Sequence, residues 1–276
     1  MNDKRTEQVT IHKVINTEMN EATDKVAAEG PLQIQLQYST ATGQMLKDIA
    51  VTMRTPGNDE ELAAGFLFTE GIIKQAGDIA SIKRPPADEN IIQVTLKENV
   101  VPELKNSSRN FYTTSSCGVC GKASIDAINT VSSFTDCKDN IFVDAAILYK
   151  LPESIKAEQK VFEDTGGIHA SALFDVAGKV RLLREDVGRH NALDKLIGEA
   201  LMNNKLPLNN QILFLSGRAS FELVQKAVMA GIRFIAAVGA PSSLAVEMAK
   251  DNSITLIGFL KNNRFNIYSG KERISL

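Results

Sequence analysis

Tryptophan is absent from this chain, and histidine and cysteine occur three times each among 276 residues. An odd, small number of cysteines does not make a disulfide framework. Lys and Arg number 31 against 33 Asp and Glu, and a net charge of -2 argues against a nucleic-acid scaffold held by bulk charge, though a local basic pocket stays open. No apolar run approaches the ~20 residues that a membrane helix needs. Residues 1–10 are polar and charged, without the apolar stretch of a secretory signal. Internal repeats and low-complexity tracts are missing too. These absences point to a cytoplasmic protein whose thiols stay reduced, with neither nucleic acid nor membrane as a partner. A hydrophobic share of 43% over this length allows one large or two ordinary domains with real cores.

What is present is a close pair of thiols. Residues 115–122 read Ser-Ser-Cys-Gly-Val-Cys-Gly-Lys, which sets Cys117 and Cys120 three apart among small neighbours. Two such thiols can share a disulfide, share a metal, or lower each other's pKa. A zinc site needs about four ligands, and Cys137, His12, His169 and His190 are scattered, with no second Cys-x-x-Cys, so no metal is expected. Thiol–disulfide exchange suits the spacing, but a thioredoxin-type motif should open a helix after a first strand. Here the thiols lie mid-chain after a polar stretch. A third use is to carry sulfur as a persulfide, which an exposed, acidic thiol also serves. A helix starting after Gly121 would put the pair at its N-terminus, where the dipole favours thiolate; a mobile glycine loop fits equally well.

Along the chain, residues 1–30 are polar and are expected to be frayed. From 31 to 110 the pattern is that of a small α+β unit. Leu32, Ile34 and Leu36 alternate as a half-buried strand, and a turn at Thr42-Gly43 leads to a second strand near 48–54. Asn58 or Asp59 would cap a helix whose face carries Leu62, Phe66 and Leu67 and which Gly71 ends. Residues 91–96 make another strand. Residues 111–150 hold the Cys-x-x-Cys loop and a connecting helix. From 151 to 276 a helix over 152–162 and a hairpin across Gly178 precede an alternation of strand and helix. Leu193, Leu196, Ile197, Ala200 and Leu201 form one buried helical face there. Short links between these elements predict a largely parallel sheet covered by helices.

Ligands collect beyond the carboxyl ends of parallel strands. Ser216-Gly-Arg218, the loop from Gly239 through Ser242 and Ser243, and the turn at 259–264 with Lys261 and Arg264 should land there. Helix N-termini, hydroxyls and basic side chains suit phosphate oxygens. Taken singly, each loop is as well read as a capped turn with solvated charges. Glu185, Asp186, Arg189 and His190 form a further polar cluster, either a capping and ion-pair network or a wall of the pocket.

Together these residues resemble a known family. Arg54-Thr-Pro-Gly57, Gly65-Phe-Leu67 with Glu70-Gly71, Ser116-Cys-Gly-Val-Cys-Gly-Lys122, Thr165-Gly-Gly-Ile-His169, Glu185-Asp-Val-Gly-Arg-His-Asn-Ala-Leu-Asp-Lys195, Ser216-Gly-Arg218 and Ala240-Pro-Ser-Ser-Leu-Ala245 are similar, in this order, to the FdhD family of sulfur carriers, the formate dehydrogenase accessory proteins. The resemblance runs from about residue 30 to the C-terminus. It implies a sulfurtransferase-like carrier, a homodimer in the cytoplasm, that takes sulfur from a cysteine desulfurase. The sulfur passes to Mo-bis-molybdopterin guanine dinucleotide before that cofactor enters formate dehydrogenase. Cys117 corresponds to the persulfide-bearing cysteine and Cys120 to its partner. Phe259, Leu260, Lys261, Asn262, Asn263 and Arg264 correspond to the cofactor-binding segment, which a guanine nucleotide can also occupy, with Ser216, Arg218, Ser242 and Ser243 beside it. The implied fold is a C-terminal cytidine-deaminase-like three-layer α-β-α domain with a smaller N-terminal α+β domain. Deaminase activity is not implied, because the helix starts near 188–191 and 216–219 lack the His-x-Glu and Pro-Cys-x-x-Cys of the zinc site. Two residues depart from the family pattern. Gly239 stands where serine is usual, and Lys261 where arginine is usual, which keeps the charge but loses the guanidinium fork.

Overall fold

The computed structural model describes residues 3–86, 88–104, 111–112 (backbone only), 132, 134 and 139–276. The N-terminal segment is not frayed. Strands β1 (Thr6–Ile15) and β2 (Glu18–Ala27) pair antiparallel from Thr6↔Ala27 to Ile15↔Glu18. Asn16 and Thr17, both at positive φ, make the turn. Its side chains are mostly exposed, so no apolar alternation announces the ribbon; the cross-strand ladder satisfies the backbone without a buried face.

A five-stranded sheet follows, built from β3 (Gly30–Thr40), β4 (Gly43–Arg54), β5 (Ile79–Lys83), β6 (Ile91–Leu96) and β7 (Phe111–Tyr112) in the order β5-β6-β3-β4-β7. Leu32, Ile34 and Leu36 are fully buried on one face, as their alternation predicts, beside Ile92 and Val94. Helix α1 (Asp59–Thr69) starts after Asn58, which sits in the left-handed region and makes no side-chain cap bond. The Asp59 carboxylate turns instead to Arg54. Gly71, at φ 73°, takes the chain away from the helix end.

Beyond it, β8 (Val143–Asp144) pairs with the terminal β15 (Ile274–Ser275). Helix α2 (Ala145–Leu148) comes next. The single helix expected over 152–162 is two short ones, α3 (Leu151–Lys156) and α4 (Lys160–Thr165). A distant residue meets the chain at the break. The Glu185 carboxylate accepts from the Val161 and Phe162 amides at the start of α4, a favourable site for a negative charge.

The second sheet contains β9 (His169–Phe174), β10 (Val180–Asp186), β11 (Ile212–Leu215), β12 (Phe234–Ala237), β13 (Thr255–Lys261) and β14 (Arg264–Ser269), ordered β10-β9-β11-β12-β13-β14. Helices α5 (Arg189–Met202), α6 (Phe221–Met229) and α7 (Ser243–Asp251) connect its strands. The expectation of a largely parallel sheet is corrected: only β11–β12 and β12–β13 are parallel, and the flanking pairs are antiparallel. The hairpin across Gly178 returns β10 to the edge, so β9 meets β11 head to tail. Alternate side chains feed two cores. Leu213, Leu215 and Ile235 join a cluster with Leu193 and Leu196 of α5 and with Leu32, Ile34 and Leu62 of the N-terminal half. Ile212, Phe214 and Phe234 face Leu148, Leu151 and Ile155 on the other side. Helices thus cover both faces of the sheet, and the two halves of the chain share one continuous core.

Candidate functional site

The three loops expected to meet at the carboxyl ends of the parallel strands do meet, and backbone hydrogen bonds join them. Val238 N–H donates to the Leu215 carbonyl (3.0 Å), Gly239 N–H to Gly217 (2.9 Å), Ser242 N–H to Ala219 (3.0 Å) and Phe259 N–H to Gly239 (3.2 Å). Ala219 and Pro241 form a parallel bridge. The ladder therefore continues past the strands and holds the loops as one surface. Gly239 lies at its centre, where a Cβ would fall 2.9 Å from Arg218 N and Cα and from the Gly217 carbonyl oxygen. Glycine at the position where the resembled family usually has serine follows from this approach.

Arg218, Ser242, Ser243, Lys261, Asn262, Asn263 and Arg264 are all exposed on this edge. Among the described residues none of Arg218, Lys261 and Arg264 is in an ion pair. Ser242 caps α7 by accepting from Ala245 N–H (3.3 Å). Phe259 adopts φ 53° at an irregularity between Gly258 and Lys261, and it is 41% exposed. Positive φ is uncommon for a bulky residue and clusters at functional sites. Leu260 is corrected as a ligand-facing side chain: at 1% exposure it belongs to the core, and only its backbone is available to a ligand. Ser216 also turns inward, where its Oγ accepts from Ala170 N–H (2.8 Å).

The cluster at 185–195 divides. Asp186 and Lys195 are fully buried and paired at 2.7 Å. Asp186 also accepts from the amides of Gly188 (2.8 Å) and Thr55 (3.1 Å), and from Asn191 Nδ2 (3.2 Å). Lys195 Nζ donates to the Thr55 carbonyl (2.8 Å), and Asn191 Nδ2 to that of Met53 (2.7 Å). Burial pushes the Asp186 carboxyl upward against the pull of Lys195. This is the capping and ion-pair network, and it ties the Arg54-Thr-Pro-Gly57 loop to the start of α5. A second buried network joins α1, α5 and α6: Lys226 reaches Asp194 (2.9 Å), Glu70 (3.3 Å) and the Thr69 hydroxyl (2.9 Å). Burial opposes the Lys226 charge, but Asp194 and Glu70 outweigh it and raise its pKa.

His190 lies 3.3 Å from the Ser220 hydroxyl and 3.9 Å from Glu222. His169 approaches the first of the edge loops: a Cβ on Gly217 would sit 3.3 Å from its Nδ1. Burial first, and Arg189 second, hold His169 below the usual histidine range, so the ring is neutral at neutral pH. Sequence reasoning missed Gln159, a buried side chain near this ring; its place in an expected helix gave no sign of it. Cys117, Cys120 and Cys137, with the helix considered after Gly121, lie outside the described residues. Among the described residues no helix is long and apolar enough to cross a membrane.

Fold and edge together define a mixed α/β protein with a basic, backbone-stitched edge, and with a Cys-x-x-Cys in the stretch of sequence between the strands of its two sheets. The FdhD/NarQ family model matches residues 27–275, and the chain belongs to that family. It is 49% identical over 259 residues to the "Sulfur carrier protein FdhD" of Mycolicibacterium paratuberculosis, covering 91% of this chain and 92% of that one. Proteins of the same name from Streptomyces avermitilis (44% over 279 residues; 98% and 96% covered) and Sulfurisphaera tokodaii (42% over 267; 97% and 98%) are also similar. In structure the chain is similar to a crystal structure from Desulfotalea psychrophila assigned to a formate dehydrogenase accessory protein, with TM-score 0.73, 24% identity, and 98% and 99% of the two chains covered.

Proposed function

We propose that this chain is a cytoplasmic, homodimeric sulfur carrier serving formate dehydrogenase, with Cys117 as the carrying thiol and Mo-bis-molybdopterin guanine dinucleotide as the acceptor. The Cys117 thiolate attacks the terminal sulfur of a cysteine desulfurase persulfide. A new S–S bond forms on Cys117, and the desulfurase cysteine leaves as thiolate. Cys120 then attacks Cys117 sulfur. The Cys117–Cys120 disulfide forms, and the carried sulfur leaves as hydrosulfide, the oxidation state a metal accepts as a sulfido ligand. The two electrons come from the dithiol, which a cellular thiol reductant restores.

The observation that carries this reading is the stitched edge through Gly217, Gly239 and Phe259, with Arg218, Lys261 and Arg264 exposed on it. Helix N-termini, and cations that form no ion pair among the described residues, suit the phosphates of a dinucleotide. The name shared by relatives of near full-length match supports the same role. The sheet order β10-β9-β11-β12-β13-β14, with helices on both faces, fits a cytidine-deaminase-like arrangement put to another use.

Incubation with a cysteine desulfurase and cysteine, followed by mass spectrometry without reductant, tests the carrier. One added sulfur on Cys117 is expected. An intramolecular disulfide with no sulfur adduct under any condition makes the protein a thiol–disulfide oxidoreductase instead. Titration with GDP tests the edge: Arg218→Ala should weaken binding about tenfold, and unchanged affinity removes the ligand from this surface.

A further inference from the structure

Strand β10 stands at the end of the order β10-β9-β11-β12-β13-β14, and among the described residues no strand pairs with its outer side. The register tells which backbone groups are left over. Ser216 N–H donates to the Ala170 carbonyl, which turns Ala170 toward β11 and the next residue, Ser171, toward β10. Arg184, opposite Ser171, therefore faces back to β9, and Leu183 and Glu185 turn their N–H and C=O groups outward. The Leu183 carbonyl, with no strand beside it, accepts from the side chain of its own neighbour, Arg184 Nη1 (2.8 Å). An unpaired strand side of this kind is a template for one more strand.

A groove of about 450 Å3 lies against it, lined by every residue from Val180 to Glu185. Arg5, Lys160, Arg181, Arg184 and Lys195 bring five cations to the lining, against the carboxylates of Glu158 and Glu185. Glu185 is already spent on the Val161 and Phe162 amides. Arg5, Arg181, Arg184 and Lys195 hold Asp3, Asp175, Glu61 and Asp186, none of which lines the groove, and Lys160 is in no ion pair among the described residues. We propose that this groove admits an extended, acidic segment of a partner protein, which adds to β10 as a further strand. Its amides and carbonyls would meet those of Leu183 and Glu185, and its carboxylates the cations around them. Charges and the bulge between Val180 and Leu182 are also the devices that keep a free strand from pairing at random. Here they set the selectivity, because they repel a basic strand and admit an acidic one. The β10 strand of a second copy would bring Arg181 and Arg184 against Arg5 and Lys160, which disfavours self-pairing.

Three capped peptides test it: Glu-Val-Glu-Val-Glu-Val, its Lys-Val counterpart, and a Glu-Val version with every backbone amide N-methylated. The first should bind about tenfold more tightly than either of the others, since the second meets like charge and the third keeps the charge but has no N–H to give. At saturation the Leu183 and Glu185 amides should exchange with deuterium about tenfold more slowly, while Arg184, which faces β9, is unmoved. Leu183→Pro removes one outward donor at a position where an edge strand tolerates proline, and should weaken the Glu-Val peptide about tenfold with the circular dichroism spectrum unchanged. Lys160→Glu should narrow the preference for Glu-Val over Lys-Val, and it reads the proposal even where the proline variant fails to fold. Equal binding of the N-methylated peptide would make the contact one of charge alone and overturn the added strand. Binding by none of the three would overturn the site. A solution mass that halves in Leu183→Pro would assign this side of β10 to a second copy and overturn the proposal as well.

Discussion

Gly65 of α1 and Gly198 of α5 cross with no room for a side chain on either. A Cβ on Gly65 would fall 1.9 Å from the Asp194 carbonyl oxygen, and one on Gly198 would fall 1.8 Å from that of Glu61. The opposing atoms are backbone, so no rotamer change relieves the overlap. This contact brings the N-terminal and C-terminal halves into one core. Gly65→Ala and Gly198→Ala should each destabilise the protein by about 3 kcal/mol, the upper end for overpacking. Both act by forcing the same two helices apart, so the double variant should cost clearly less than the sum. Urea denaturation of the three variants checks this, and strict additivity would count against a shared crossing.

Asp186 and Lys195 close the same junction from its polar side. Lys195→Met leaves the Asp186 carboxylate buried without its cation and removes a donor from the Thr55 carbonyl. A loss of about 3–5 kcal/mol is expected for breaking a buried pair on one side. A loss below about 1 kcal/mol, in the range of surface pairs, would show that the network is not what holds the loop.

Much of this architecture is legible in the chain where one face alone is buried. The alternation of Leu32, Ile34 and Leu36 and the helical spacing of Leu193, Leu196, Ile197, Ala200 and Leu201 each state a period and a direction, and each is buried as read. The edge loops follow from the order of strands and helices. Long-range causes are what the sequence hides. Glu185 meets the first amides of α4 across 24 and 23 positions of chain, β1 and β2 pair without a buried face, and β9 enters the sheet antiparallel to β11. Asp186 and Gln159 are both polar and both buried, but only packing shows that the Asp186 carboxylate is satisfied while Gln159 Nε2 finds no partner among the described residues.

Asp59 gives the fold an acid-sensitive joint. Burial would raise its pKa, but the bidentate Arg54 (3.1 Å to each oxygen) and then Arg84 outweigh burial and hold it below the ordinary carboxylate value. A lowered pKa means that the stabilisation is complete above the unfolded value of about 3.9 and is lost as pH falls through the folded one. Asp59→Asn should therefore cost about 3–5 kcal/mol at pH 7 by leaving buried Arg54 unpaired. The gap from the parent chain should narrow below about pH 4, as the parent's own carboxyl protonates. Urea midpoints of both proteins at pH 7 and pH 3 check it; a gap independent of pH would be wrong for this assignment.

Gly239 tests whether the missing hydroxyl is a loss or a fit. Gly239→Ser installs the residue usual in the resembled family, but its Cβ meets the backbone of Gly217 and Arg218. Destabilisation of about 1–3 kcal/mol is expected, with no gain in GDP affinity because the edge must open to admit the side chain. A variant that melts with the parent protein and binds GDP more tightly would make the glycine a functional deficit.

The proposed division of labour between the thiols can be tested through the electron balance of sulfur release. A persulfide holds its outer sulfur at the zero-valent level, so delivery as hydrosulfide needs two electrons from a neighbouring thiol. Cys120 is three positions from Cys117 and Cys137 is twenty, in keeping with the proposal that Cys120 is the resolving partner. Cys117→Ser should abolish the sulfur adduct. Cys120→Ser should still load one sulfur on Cys117, but release it to an acceptor on the order of tenfold more slowly, because an intramolecular attack is replaced by external thiol. Cys137→Ser should change neither step. Non-reducing mass spectrometry follows the loading, and a sulfide-trapping assay with the loaded protein follows the release. Loading confined to Cys120, with release that requires Cys117, would exchange the two roles. Release at the parent rate in Cys120→Ser would mean that the electrons come from outside the pair.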